Sequence, residues 1–157
     1  MNVALDLDAV LGDTRPLWDA WLADASRRFR TIAELDPASL PVDRGLAAAE
    51  LDRWGRLGIG DWRASLSRFA EDHAPVYLRP QAPVSAALRR LEGSGARLGA
   101  FTDAPEELAR VALAHVGAAR RIEVLEAGSG ALERLRERLG PEVRVVSSVD
   151  DVARLGI

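Results

Sequence analysis

The sequence predicts an α/β fold, a parallel sheet covered on both faces, and three observations carry that expectation. Short, almost continuous apolar runs alternate with segments of helical periodicity. Carboxylates and hydroxyls fall directly after those runs, where an open parallel sheet places its ligand sites. The aromatic residues gather elsewhere: Trp18, Trp21, Phe29, Trp54, Trp62, Phe69 and Tyr77 all precede residue 78, and only Phe101 follows it. That clustering marks a helical segment inserted between the first strand and the rest of the sheet.

Taken in order, Asn2 to Leu7 reads as a buried strand. Pro16 occupies a first helical position behind Asp13 or Thr14 as N-cap, and Trp18, Trp21, Leu22, Ala25 and Phe29 follow at helical spacing. Residues 36–45 read as loop, after which Leu46, Leu51, Trp54 and Leu57 predict a second helix ended by Gly58. Asp61 caps a third, with Trp62, Leu66 and Phe69 on one face. Beyond this bundle the reading is helix over Val84 to Leu91, strand over Arg97 to Thr102, and helix over Pro105 to Val116 with Thr102 or Asp103 as N-cap. A strand over Ile122 to Leu125, a helix from Ser129 or Gly130 to Leu139, a strand over Val143 to Ser148 and a helical turn over Asp150 to Leu155 complete it.

The chain has 157 residues, enough for one domain with an insertion. With 21 basic and 24 acidic side chains, a net charge of −3 and 48% hydrophobic residues, it is neither an acidic disordered tail nor a coat for nucleic acid. The absence of cysteine removes disulfides, thiolate zinc sites and a cysteine nucleophile. Every basic residue is arginine, which removes all lysine chemistry. No run has the length of a membrane helix, and carboxylates stand near the amino terminus where a signal peptide needs an apolar stretch, so a cytoplasmic protein without membrane or nucleic-acid partners is expected.

The polar residues after the expected strands are Asp6 and Asp8; Thr102 and Asp103; Glu126; and Ser147, Ser148, Asp150 and Asp151. Gathered at one edge, these hard oxygen donors suit Mg²⁺ with substrate phosphate oxygens, hence magnesium-dependent phosphoryl transfer. Of the two histidines, His73 reads as a surface or hinge residue and His115 as a partner of its helix dipole. The tryptophans read as the core of the helical bundle, and one facing the site would select an apolar or aromatic leaving group.

Asp6-Leu-Asp-Ala-Val-Leu-Gly-Asp-Thr14, behind Val3-Ala-Leu5, resembles the first motif of the haloacid dehalogenase-like (HAD) hydrolase superfamily, DxDx(T/V)LxD(S/T). The resemblance implies that Asp6 attacks phosphorus to form a phosphoaspartate. It implies also that Asp8 serves as general acid and base and lends its backbone carbonyl to magnesium. Leu98-Gly-Ala-Phe-Thr102, followed by Asp103-Ala-Pro-Glu-Glu-Leu, resembles the second motif, which gives Thr102 the phosphoryl oxygens and sets Asp103 beside the substrate. The implied fold is a doubly wound parallel sheet, a HAD-like Rossmannoid core of residues 1–13 and 78–157, with a C1-type helical cap over 14–77. The implied cofactor is Mg²⁺ on Asp6, Asp8, Asp150 and Asp151. A small phosphorylated metabolite is the implied partner, and monomer and homodimer both stay open.

Two motifs depart from the family pattern. The third normally supplies a lysine, sometimes an arginine, and Glu126 stands near that position. Exchanging a cation for an anion beside a phosphate shifts the interaction by roughly 3 to 4 kcal/mol per charge change at about 4–6 Å and an effective dielectric near 20. A Glu126 directed into the site therefore predicts failed catalysis unless an arginine compensates, with Arg79, Arg120 and Arg121 as candidates. In the fourth motif Ser147 replaces the first acid while Asp151 stands at the second, or Asp150 and Asp151 form a paired-acid variant. The expected function is thus a Mg²⁺-dependent phosphatase; the alternatives are an impaired relative that binds a ligand or partner without turnover, and a structural or dimerising module.

Overall fold

The structure, a computed structural model, describes residues 1–155; residues 156 and 157, the end of the expected core segment, lie outside them. Its elements are β1 (Asn2–Asp6), α1 (Arg15–Ala33), α2 (Arg44–Trp54), α3 (Trp62–Tyr77), α4 (Ala82–Gly93), β2 (Arg97–Thr102), α5 (Glu106–His115), β3 (Val124–Ala127), α6 (Ala131–Leu139), β4 (Arg144–Val146) and α7 (Val149–Arg154). The four strands are parallel in the order β3-β2-β1-β4. β1 is paired on both edges, with Leu5 opposite Ala100 and Val146, so the chain leaves the middle of the sheet at Asp6.

Strand alternation assigns the two faces. Ala4 and Val124 pack with Leu135 and Leu139 of α6, joined by Phe101 and Val145. Gly99 permits that approach, since a Cβ there would stand 2.7 Å from Leu135 and 2.8 Å from Leu139. Val3, Leu5, Leu98, Ala100 and Val146 lie in the larger cluster with apolar residues of α4, α5 and α7. Helices thus cover both faces of a parallel sheet, as the sequence predicts.

The α1–α3 segment is built around its tryptophans. Trp21 lies 5.5 Å from Trp18, 5.9 Å from Trp62 and 6.0 Å from Phe29, which in turn packs edge-on at 6.0 Å from Trp54. Three of the indole N–H groups find acceptors: Trp21 on Ser65, Trp54 on Glu50, Trp62 on Asp52. These helices share one apolar cluster with the sheet, and α3 packs along α5. Among the described residues no helix is long and apolar enough to cross a membrane.

Several local expectations are corrected. α2 ends at Trp54, ahead of a wide turn over Gly55–Ile59 in which Gly58 takes φ 118°. Leu46 and Leu57 are 57% and 53% exposed, because α2 buries Arg44, Ala47, Ala48, Leu51 and Trp54 instead. α5 starts behind Pro105, with no side chain capping it; Thr102 and Asp103 have other partners, given below. β3 starts at Val124. His115 meets the Leu78 carbonyl through Nε2 at 3.1 Å, and His73 stacks on Phe69 with Nδ1 on its carbonyl.

Candidate functional site

Just beyond β1 the chain makes one wide helical turn over Leu7–Leu11, burying Leu7, Val10 and Leu11. Asp6 caps this turn, accepting a hydrogen bond from the Ala9 amide at 3.3 Å. Burial pushes the Asp6 carboxyl above the ordinary carboxylate range, and the neighbouring charge of Asp8 adds to that rise against the Ala9 N–H. Both aspartates open onto a cavity of about 770 Å³ at the carboxyl ends of β1 and β2, which Thr102, Asp103, Arg15, Trp18, Arg44 and Gly128 also line.

Asp8 is surrounded by donors. Its Oδ1 accepts from the Thr14 amide at 2.9 Å and from the Thr14 hydroxyl at 2.5 Å; its Oδ2 accepts from Thr102 Oγ1 at 2.7 Å and from Arg44 Nη2 at 2.8 Å. These contacts fill the roughly four lone-pair positions of a carboxylate. Thr14, at the N-cap position of α1, makes no side-chain capping bond, its fully buried hydroxyl being turned to Asp8.

Arg44 enters from the first turn of α2 with 4% of its side chain exposed. Besides Asp8 it binds Asp103 Oδ1 through Nε at 3.0 Å and Nη2 at 2.8 Å, donates from Nη1 to Thr14 Oγ1 at 2.6 Å, and gives its backbone N–H to Asp103 Oδ2 at 3.0 Å. Asp103 is therefore bound to the helical segment, and Thr102 donates to Asp8 while accepting from the Ala104 amide. Sequence reading missed Arg44. The available signal was the Asp43-Arg-Gly triplet at a helix start in a chain without lysine.

Glu126 does not line the cavity. It shares strand parity with Val124, whose side of the sheet faces α6. There it pairs with Arg134 and Arg138, each at 3.0 Å. Burial raises the Glu126 carboxyl, but the two guanidiniums outweigh it and hold the group below its usual range. Arg134 also donates to the Ala127 and Ser129 carbonyls, so it braces the loop before α6. Arg79, Arg120 and Arg121 do not line the cavity, and Arg121 pairs with Glu92.

Asp150 and Asp151 are exposed on the first turn of α7, outside the cavity, and Asp151 lies 3.8 Å from Arg154. Ser148, not an aspartate, caps that helix. Among the described residues no group of three or more His, Asp or Glu side chains converges on a metal position. The donors gathered at the cavity fit Mg²⁺ poorly: Asp8 and Asp103 are engaged by Arg44 and Glu133 pairs with Arg136, and the two lining carboxylates without an ion pair, Asp6 and the exposed Asp19, belong to no converging group of three.

No family model matches the chain, and no curated protein matches its sequence. Ten solved chains do match it. One is the crystal structure of a Thermotoga maritima protein provisionally named a beta-phosphoglucomutase, 20% identical to this chain, covering 99% of this chain and 82% of its own length with a TM-score of 0.54. That likeness is one of architecture, and it shows this chain to share the α/β fold of that protein.

Proposed function

We propose that this protein is a phosphatase acting on a small phosphomonoester through a phosphoaspartate on Asp6. The observation that carries this reading is the convergence of Asp6, Asp8 and Thr102 on one cavity at the carboxyl ends of two central strands. Residues 1–13 with the segment from 78 form the catalytic layer, and 14–77 the helical cap. An Asp6 oxygen attacks phosphorus as the ester P–O bond breaks, and Asp8 gives a proton to the departing alkoxide. Water then attacks the phosphoaspartate, Asp8 takes its proton, and inorganic phosphate leaves with Asp6 restored. Thr102 holds a phosphoryl oxygen. Trp18, Leu22, Leu40 and Val42 line the same cavity, which favours a small metabolite whose leaving group has apolar surface as partner.

The expected Mg²⁺ enters no step here, because the gathered donors do not complete its site. The test is phosphate release from a panel of phosphomonoesters, with and without Mg²⁺, by the native protein and Asp6→Asn. Turnover lost in the variant is expected; equal turnover in both refutes the nucleophile.

A second reading, ligand binding without turnover, is favoured by the four donors that fill Asp8. Anion binding by folded protein that releases no phosphate from any ester would select it.

A further inference from the structure

We propose that Arg44 is the phosphoryl-binding cation of this site, and that docking of the first turn of α2 delivers it there. The inference rests on the phosphatase reading only for the identity of the anion.

A phosphate entering this cavity meets Asp6, Asp8 and Asp103, and needs a cation to offset them. Arg134 is engaged by Glu126 and by loop carbonyls, and Arg15, at the cavity edge, is 66% exposed and held by Asp13. Arg44 is the buried guanidinium among the lining residues, and its Nη2 lies within 3.4 Å of Thr102 Oγ1, the hydroxyl assigned to the phosphoryl group. A guanidinium presents a planar fork that suits phosphate oxygens as well as carboxylates. Its present bond to Asp8 Oδ2 is therefore exchangeable for one to a phosphoryl oxygen. The exchange also vacates a lone pair on Asp8, which a group that carries a proton to the leaving alkoxide requires.

Delivery depends on the residues flanking Arg44. Asp43 caps α2 at the Leu46 amide, and the same Oδ1 accepts from Ser129 Oγ at 2.7 Å, in the loop before α6. Gly45 lies so close to that loop that a Cβ would stand 2.2 Å from the Ser129 backbone nitrogen. The Arg44 amide bonds to Asp103. Three consecutive residues thus seat one turn of the helical segment on two loops of the sheet, with the guanidinium between them.

The test is calorimetric titration with tungstate in EDTA, using the native protein, Arg44→Gln, Arg44→Lys and Gly45→Ala. Native protein is expected to bind, and Arg44→Gln to bind about 10- to 100-fold more weakly, the loss of a charged hydrogen-bonding group. Arg44→Lys should recover part of that loss. Gly45→Ala should weaken binding although every polar group is retained, and it decides the matter if Arg44→Gln lacks a cooperative melt. Absent binding in the native protein overturns the proposal, as does undiminished binding in Arg44→Gln or in Gly45→Ala. Arg44-dependent tungstate binding without phosphate release from any ester would refute the phosphatase reading and leave this one standing.

Discussion

Burial raises the carboxyl pKa of Asp6, so the folded protein holds that proton more tightly than the unfolded chain does. Below the unfolded value of 3.8 both states are protonated and the group adds its full stability; as pH rises through the elevated folded value, that stability is lost. Asp6→Asn keeps an acceptor for the Ala9 amide and has no charge to bury. It should therefore melt at a higher temperature than the native protein at pH 7, with the gain gone at pH 3. An unchanged or lowered melting temperature at pH 7 would contradict the desolvation argument. Arg44→Gln should act in the opposite sense at neutral pH, by roughly 3 kcal/mol, because it leaves Asp8 without its buried charge partner; urea unfolding measures this. The placement of Asp6, Asp8 and Thr102 beside one cavity was legible in the sequence because strand ends fix their positions locally. Arg44 was not, since its carboxylate partners lie 36 residues before it and 59 after it. Glu126 was misleading for a related reason. Motif alignment gives position along a strand, whereas the pleat decides which face receives the side chain.

Among the elements, the strands were legible because a strand buried on both faces is written as an unbroken apolar run. The course of α2 was not, because its packed stripe is partly alanine, which buries little area, whereas the conspicuous Leu46 and Leu57 face outward. The tryptophan cluster supplies the test of how the helical segment is held. Trp21 is fully buried against three aromatic rings and donates to Ser65 at 3.1 Å. Truncation there removes a large apolar volume and leaves a void that rigid neighbouring rings cannot refill. Trp21→Ala is expected to cost about 3–5 kcal/mol in urea unfolding. A loss under about 1 kcal/mol would mean that the cluster collapses freely and does not define the segment.

At the scale of the whole molecule, the helical segment and the sheet are joined by one apolar cluster running from Trp21 and Trp54 to Leu5 and Leu98. The seam is reinforced by α3 along α5 and by the buried Arg44 bridge. A unit that shares its core with its neighbour has no separate core to fall back on, so the two should unfold together. The distribution of fluorophores makes this measurable, because all four tryptophans lie between residues 18 and 62, whereas far-UV ellipticity reports helices of both parts and the strands. Urea curves followed by fluorescence and by ellipticity should superimpose, with one midpoint. A fluorescence transition that comes first would show that the helical segment opens by itself. Arg44 would then be absent from the site for part of the time before any substrate arrives, and anion affinity would fall by the fraction of molecules in which the segment is open.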